Sequence, residues 1–97
     1  MTCIRPSFVL AGLLLAAPLS AADLPPPGAS SCAGCHAVSP KAETSVPRLN
    51  GVPAAQIVAA MQDFKSGKRP ATVMDRLAKG FTDDQIKAIA RWYQGQK

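Results

Sequence analysis

The chain has 97 residues, 47% of them hydrophobic, with nine prolines and a formal net charge of +5. Such a length allows one small domain whose core is marginal if built from side chains alone. The basic balance raises nucleic acid as a partner, but no recognition motif accompanies it; an acidic protein, a membrane surface or a merely solvated basic face remain.

Residues 1–22 have the outline of a secretory signal peptide. Arg5 supplies the positive start, Phe8 to Leu19 the apolar stretch, and Ser20-Ala21-Ala22 the small residues for cleavage before Asp23. The apolar run is about a dozen residues long and broken by Pro18, short of the ~20 that a spanning helix needs, so no stable membrane anchor is expected after cleavage. Cys3 leaves with the leader. The mature domain is then 23–97, exported to the periplasm, with ten basic residues against six acidic ones. Export also takes the chain away from nucleic acid.

Pro25-Pro26-Pro27-Gly28 makes 23–31 an extended lead, with Ser30 or Ser31 placed to cap the turn that follows. That turn carries Cys32-Ala33-Gly34-Cys35-His36, the spacing of a covalent haem attachment site. Cysteines three positions apart lie about one helical turn from each other, so their sulfurs can reach two vinyl groups of one porphyrin. The adjacent His36 then offers a neutral imidazole nitrogen as axial ligand. A structural zinc site would be short of a fourth ligand, because the chain has no other histidine and only Cys3 besides. A thioredoxin-like CxxC belongs in a βαβ setting, and no β-rich run precedes this one. A plain disulfide needs no histidine here. The expected cofactor is therefore one haem c.

Residues 37–51 are rich in Ser, Pro and Gly without periodicity and read as a loop. The first clear helix covers 52–65: Ile57, Val58, Met61 and Phe64 recur at helical spacing, Pro53 suits its first turn and Gly67 its stop. Lys65 to Pro70 is a basic turn. A short helical piece follows over 72–79, with Gly80 as its expected C-cap. Thr82 and Gln85 announce the last helix as a capping box, with Phe81 and Ile86 as a staple and Asp83 and Asp84 complementing the dipole. Its inner stripe is Ile86, Ile89, Ala90 and Tyr93, and Gly95 ends it. No hairpin, repeat or low-complexity signal appears, so the fold class is all-α.

The second axial position decides between electron transfer and ligand binding. Met61 sits on an apolar stripe and reads as core. Met74 follows a change of chain direction beside Thr72 and Asp75, a place from which a sulfur can be presented to iron. It is the expected ligand, and a core methionine above an open iron is the alternative.

The chain resembles a class I c-type cytochrome over most of 23–97. Cys32 to His36, Val46-Pro-Arg-Leu-Asn-Gly51, Phe64 to Arg69, Met74, Phe81 to Gln85 and Trp92-Tyr93 look like the ordered landmarks of small bacterial cytochromes related to cytochromes c4 and c5. The stretch Phe64 to Phe81 is similar, more narrowly, to the cytochrome subunit of flavocytochrome c sulfide dehydrogenase. The resemblance implies three to four helices around one covalent haem, with an N-terminal helix shortened by the proline run. It implies that the Pro47 carbonyl accepts a hydrogen bond from the outer ring nitrogen of His36, and that Arg69 lies near a haem propionate. Trp92 and Tyr93 would pack the last helix against the attachment helix.

The expected function is single-electron transfer without catalysis, with redox proteins as partners. A flavin-containing sulfide dehydrogenase subunit is the first candidate partner. A freely diffusing respiratory carrier and, from another class, a five-coordinate haem sensor are the alternatives. Lys65, Lys68, Arg69, Arg76 and Lys79 flank the ligand segment and could steer an acidic partner.

Overall fold

A computed structural model describes residues 24–97, together with residue 12 and residues 15–18. Apart from those positions, the leader expected over 1–22 and its cleavage site lie outside the described residues. Among the described residues there are four helices and no strand, in agreement with the all-α expectation. None of these helices is long and apolar enough to cross a membrane.

Helix α1 is short, Ala29–Cys32. Neither Ser30 nor Ser31 caps it: the cap is Gly28, in the left-handed region at φ 89°, and both serines lie inside the helix. The proline run explains the difference. It turns the chain at Pro27 and Gly28 before the first serine is reached: the Ala29 amide bonds Pro26 O at 3.1 Å, and the left-handed Gly28 makes the sharp entry. Ser31 Oγ instead donates backward to Gly28 O at 2.6 Å. Beyond Ala33 the coil continues without regular helix, the Cys35 and His36 amides both bonding Cys32 O at 3.2 and 2.9 Å.

Helix α2 runs Ala54–Ser66, with Pro53 as its N-cap and Gly67 in the left-handed region at φ 77° as its C-cap. Pro53 has no side-chain acceptor, and the free Ala54 amide is satisfied from across the molecule by Gln94 Oε1. Helix α3, Met74–Ala78, starts two residues later than the pattern suggested and stops on Lys79 in right-handed conformation. Gly80 is thus not a left-handed cap. Its amide bonds Leu77 O at 3.0 Å and the Phe81 amide bonds Ala78 O at 3.3 Å, so the end tightens instead of reversing.

Helix α4, Asp83–Gln94, is capped as read from the sequence. The Gln85 amide donates to Thr82 Oγ1 at 3.2 Å, and the Thr82 amide donates to Gln85 Oε1 at 2.9 Å. Ile86, Ile89, Ala90 and Tyr93 are all buried, as the inner stripe requires. Burying a side chain the size of isoleucine contributes about 1.5–3 kcal/mol.

Helix α2 packs against both α3 and α4. The core cluster is Ala29, Ile57, Ile89, Ala90 and Tyr93, with Leu49, Val58, Met61, Phe81 and Trp92 partly buried at its margin. Tyr93 joins three elements. Its hydroxyl donates to Ala29 O at 2.6 Å in α1, and its carbonyl accepts from the Gly51 amide at 2.9 Å in the loop before α2. Trp92 meets the Tyr93 ring edge-on, centroids 4.9 Å apart. Few side chains are fully buried, Tyr93 and Ile86 being the largest, which leaves the interior open for a non-protein group.

Candidate haem site

The attachment motif is presented by α1 and the coil after it. Cys32 is half-buried and Cys35 exposed, and the two are not joined in a disulfide. Burial pushes the Cys32 thiol above its ordinary pKa. His36 is half-buried, and its Nδ1 lies 2.6 Å from Pro47 O. A carbonyl can only accept, so Nδ1 carries the hydrogen and donates it. The neutral imidazole then holds its lone pair on Nε2, the nitrogen left free to bind a metal. The loop that carries Pro47 is closed on itself by Arg48, whose Nη2 donates to Val38 O at 2.9 Å.

These groups border a cavity of about 880 Å³, within the range of ligand sites of ~300–1,000 Å³. Cys32, Cys35, His36 and Pro47 form one part of its lining. Ile57, Met61 and Phe64 of α2, Ile86 and Ile89 of α4, and Met74 with Leu77 of α3 are part of its apolar lining. The residues suit a porphyrin: two thiols, an imidazole and a thioether around one apolar concavity large enough for a macrocycle. They do not suit a metal ion alone. Among the described residues no group of three or more His, Cys, Asp or Glu side chains converges on a point.

Met61 and Met74 both reach the cavity, which the helical pattern did not indicate for Met61. They differ in what else they touch. Met61 packs on the core cluster, whereas Met74 is outside it, at the first residue of a five-residue helix. Arg69 also lines the cavity but is exposed, its guanidinium 5.1 Å from the Phe64 ring centroid.

The far wall is fastened by Lys65. Its Nζ donates to Phe81 O at 2.8 Å and lies 3.4 Å from Asp83 Oδ1, which also accepts from Gln62 Nε2 at 3.0 Å. The Gln62 hydrogen bond first, and the Lys65 ammonium second, hold the Asp83 carboxyl below the usual carboxylate range. Lys65 is therefore engaged within the fold and does not belong with the free steering charges. Lys68, Arg69, Arg76 and Lys79 are exposed as expected.

Sequence reasoning missed Arg48. It lines the cavity, and its Nε is buried without a hydrogen-bond partner. The loop around it has no periodicity from which burial could be inferred.

No family model matches the chain. It is 38% identical over 66 residues to cytochrome c-553 of Helicobacter pylori, covering 66% of this chain and 69% of that one. It is 41% identical over 63 residues to the cytochrome subunit of sulfide dehydrogenase of Chlorobaculum tepidum, covering 65% of this chain and 57% of that protein. A thiosulfate dehydrogenase electron acceptor of Thiomonas intermedia is 34% identical over 90 residues, 91% of this chain and 41% of that one. The chain thus spans about half the length of its sulfide and thiosulfate relatives.

Proposed function

Because this chain belongs to the small c-type cytochromes, with one covalently bound haem c, we propose that it carries single electrons in the periplasm using His36 and Met74 as the axial ligands. The haem supplies a reversible one-electron change at its iron. The protein's part is to hold it, orient its ligands and shield it from water. Cys32 and Cys35 tether the macrocycle through thioethers. Pro47 O accepts a hydrogen bond from Nδ1 of His36, which leaves Nε2 free and more basic, so that it would serve as the ligand to the iron. Met74 offers its sulfur from the start of α3, and Arg69 at the cavity lining pairs with a propionate. Ile57, Phe64, Ile86 and Ile89 keep the surroundings apolar. A methionine sulfur on the iron would favour the ferrous state, as suits an electron acceptor, and would outweigh the opposite, smaller effect of a more basic imidazole.

The observation that carries this reading is the 2.6 Å contact between His36 Nδ1 and Pro47 O, because it leaves one nitrogen of the only histidine for the metal. Oxidised and reduced spectra of the exported protein test it. The ferric form should show the far-red absorbance of methionine sulfur on iron, lost in Met74→Ala and kept in Met61→Ala. Loss in Met61→Ala alone would reverse the ligand assignment. Rapid carbon monoxide binding by the native ferrous protein would overturn six-coordination.

The electron donor we propose is a flavin-containing, sulfide-oxidising protein, on the strength of the 41% likeness to a sulfide dehydrogenase cytochrome subunit. The mature unit is residues 23–97, released by cleavage of the 1–22 leader. Co-purification of a flavin-containing subunit supports this partner. Its consistent absence favours a freely diffusing carrier.

A further inference from the structure

We infer that Arg48 binds a carboxylate of the haem, holding one propionate within the loop that also orients His36. The inference rests on the haem reading above and adds a residue to it. Three observations carry it. Arg48 lines the same cavity as Cys32, Cys35 and His36. Its guanidinium is already oriented, since Nη2 is spent on Val38 O at 2.9 Å. Its Nε is buried, and no acceptor among the described residues meets it. A guanidinium stays protonated, so an unpaired buried N–H of this kind calls for an acceptor, and the fork geometry of guanidinium suits a carboxylate.

The neighbouring residue sharpens the assignment. Pro47 O accepts from the imidazole while Arg48, next in sequence, faces the cavity, so consecutive residues contact the axial ligand and the edge of the same macrocycle. Arg69 is a different case. It is exposed, and its guanidinium lies over Phe64, so its charge is shared with solvent and with an aromatic face. Arg48 is the deeper of the two.

Reduction potentials of the holoprotein test the inference in Arg48→Gln and Arg48→Lys. Gln keeps a donor for Val38 O but loses the charge; Lys keeps the charge. A positive charge beside the haem disfavours the ferric state, so Arg48→Gln should shift the potential downward and Arg48→Lys should restore most of the shift. The difference should persist at about 1 M salt, where exposed charges are screened within ~3 Å. Resonance Raman should show the propionate bending mode displaced in both variants, because Lys cannot reproduce the Nε–H contact. An unchanged propionate mode overturns the inference, as does a potential in Arg48→Gln equal to that of the native protein or to that of Arg48→Lys. Should Arg48→Gln fail to mature, the Raman comparison of Arg48→Lys with the native protein decides alone. Intact mass separates the two levels of the argument: a native chain without covalent haem removes the haem reading and this inference together, whereas a haem-bearing chain with an unmoved propionate mode removes only this one.

Discussion

Two glycines in the left-handed region separate backbone strain from steric contact. Gly28 and Gly67 have φ of 89° and 77°, so an alanine at either position carries the penalty of a left-handed side chain, about 1–2 kcal/mol. Around Gly67 nothing lies within 4 Å of the position an added Cβ would take. At Gly28 that Cβ would come within 2.6 Å of Phe81 Cε1 and 3.4 Å of Ile89 Cδ1. Phe81 cannot retreat as a whole, because its carbonyl is held by Lys65 Nζ at 2.8 Å. Its ring has to turn, and the space beside it is the cavity it lines. Overpacking of this kind adds about 1–3 kcal/mol. Gly67→Ala should therefore cost about 1–2 kcal/mol and Gly28→Ala about 2–5 kcal/mol. In a domain of this size each kcal/mol lowers Tm by roughly 4–8 °C. Thermal unfolding of the two holoproteins, followed at the haem absorbance, measures the difference. Adding Phe81→Leu to the Gly28→Ala variant should recover part of the added loss by removing the ring edge. Equal Tm shifts for the two alanine variants, or no recovery on adding Phe81→Leu, would refute the steric half of the reasoning.

Tyr93→Phe removes the hydroxyl that donates to Ala29 O at 2.6 Å while keeping the ring, and should lower stability by about 1 kcal/mol, read as a Tm lower by roughly 4–8 °C. The Asp83 carboxyl is held below its ordinary range, so the stability it contributes is complete above that range and fades as pH falls through the lowered value. Asp83→Asn should accordingly melt lower than the native protein at pH 7, with the gap closing below about pH 4; a gap that stays constant down to about pH 2 would contradict the linkage. Electron transfer with an acidic partner should slow as salt rises, since Lys68, Arg69, Arg76 and Lys79 are exposed, and rates indifferent to ionic strength would exclude steering.

The parts of the fold written in local chemistry were legible. The capping box at Thr82, the stripe through Tyr93 and the stop at Gly67 each depend on residues within a few positions, and all three stand as read. The start of α1 was not legible in the same way, because the choice between a serine cap and Gly28 turns on what the preceding prolines do to the chain direction. Gly80 misled for a related reason: a glycine after a helical run permits a left-handed cap but does not impose one, and the bonds to Leu77 and Ala78 carbonyls close the turn otherwise. At the site, Cys32, Cys35, His36 and Met74 all border one cavity. Arg48 and the inward reach of Met61 were not foreseen, since both depend on how the 37–51 loop and α2 meet across the cavity. The internal engagement of Lys65 likewise requires knowing that Phe81 and Asp83 lie beside the end of α2.

Tyr93 binds α1 through its hydroxyl and the Pro47 loop through its carbonyl. Asn50 Nδ2 adds a third tie from that loop to Lys97 O at 3.2 Å. The cysteines and the carbonyl that orients His36 are thus suspended from the last turns of one helix, far away in sequence. They should open together as a single cooperative unit. In native-state hydrogen exchange, the amides of Gly51, His36 and the end of α4 would share one opening free energy, so the His36 wall of the cavity is only as durable as the last turn of α4 beneath it.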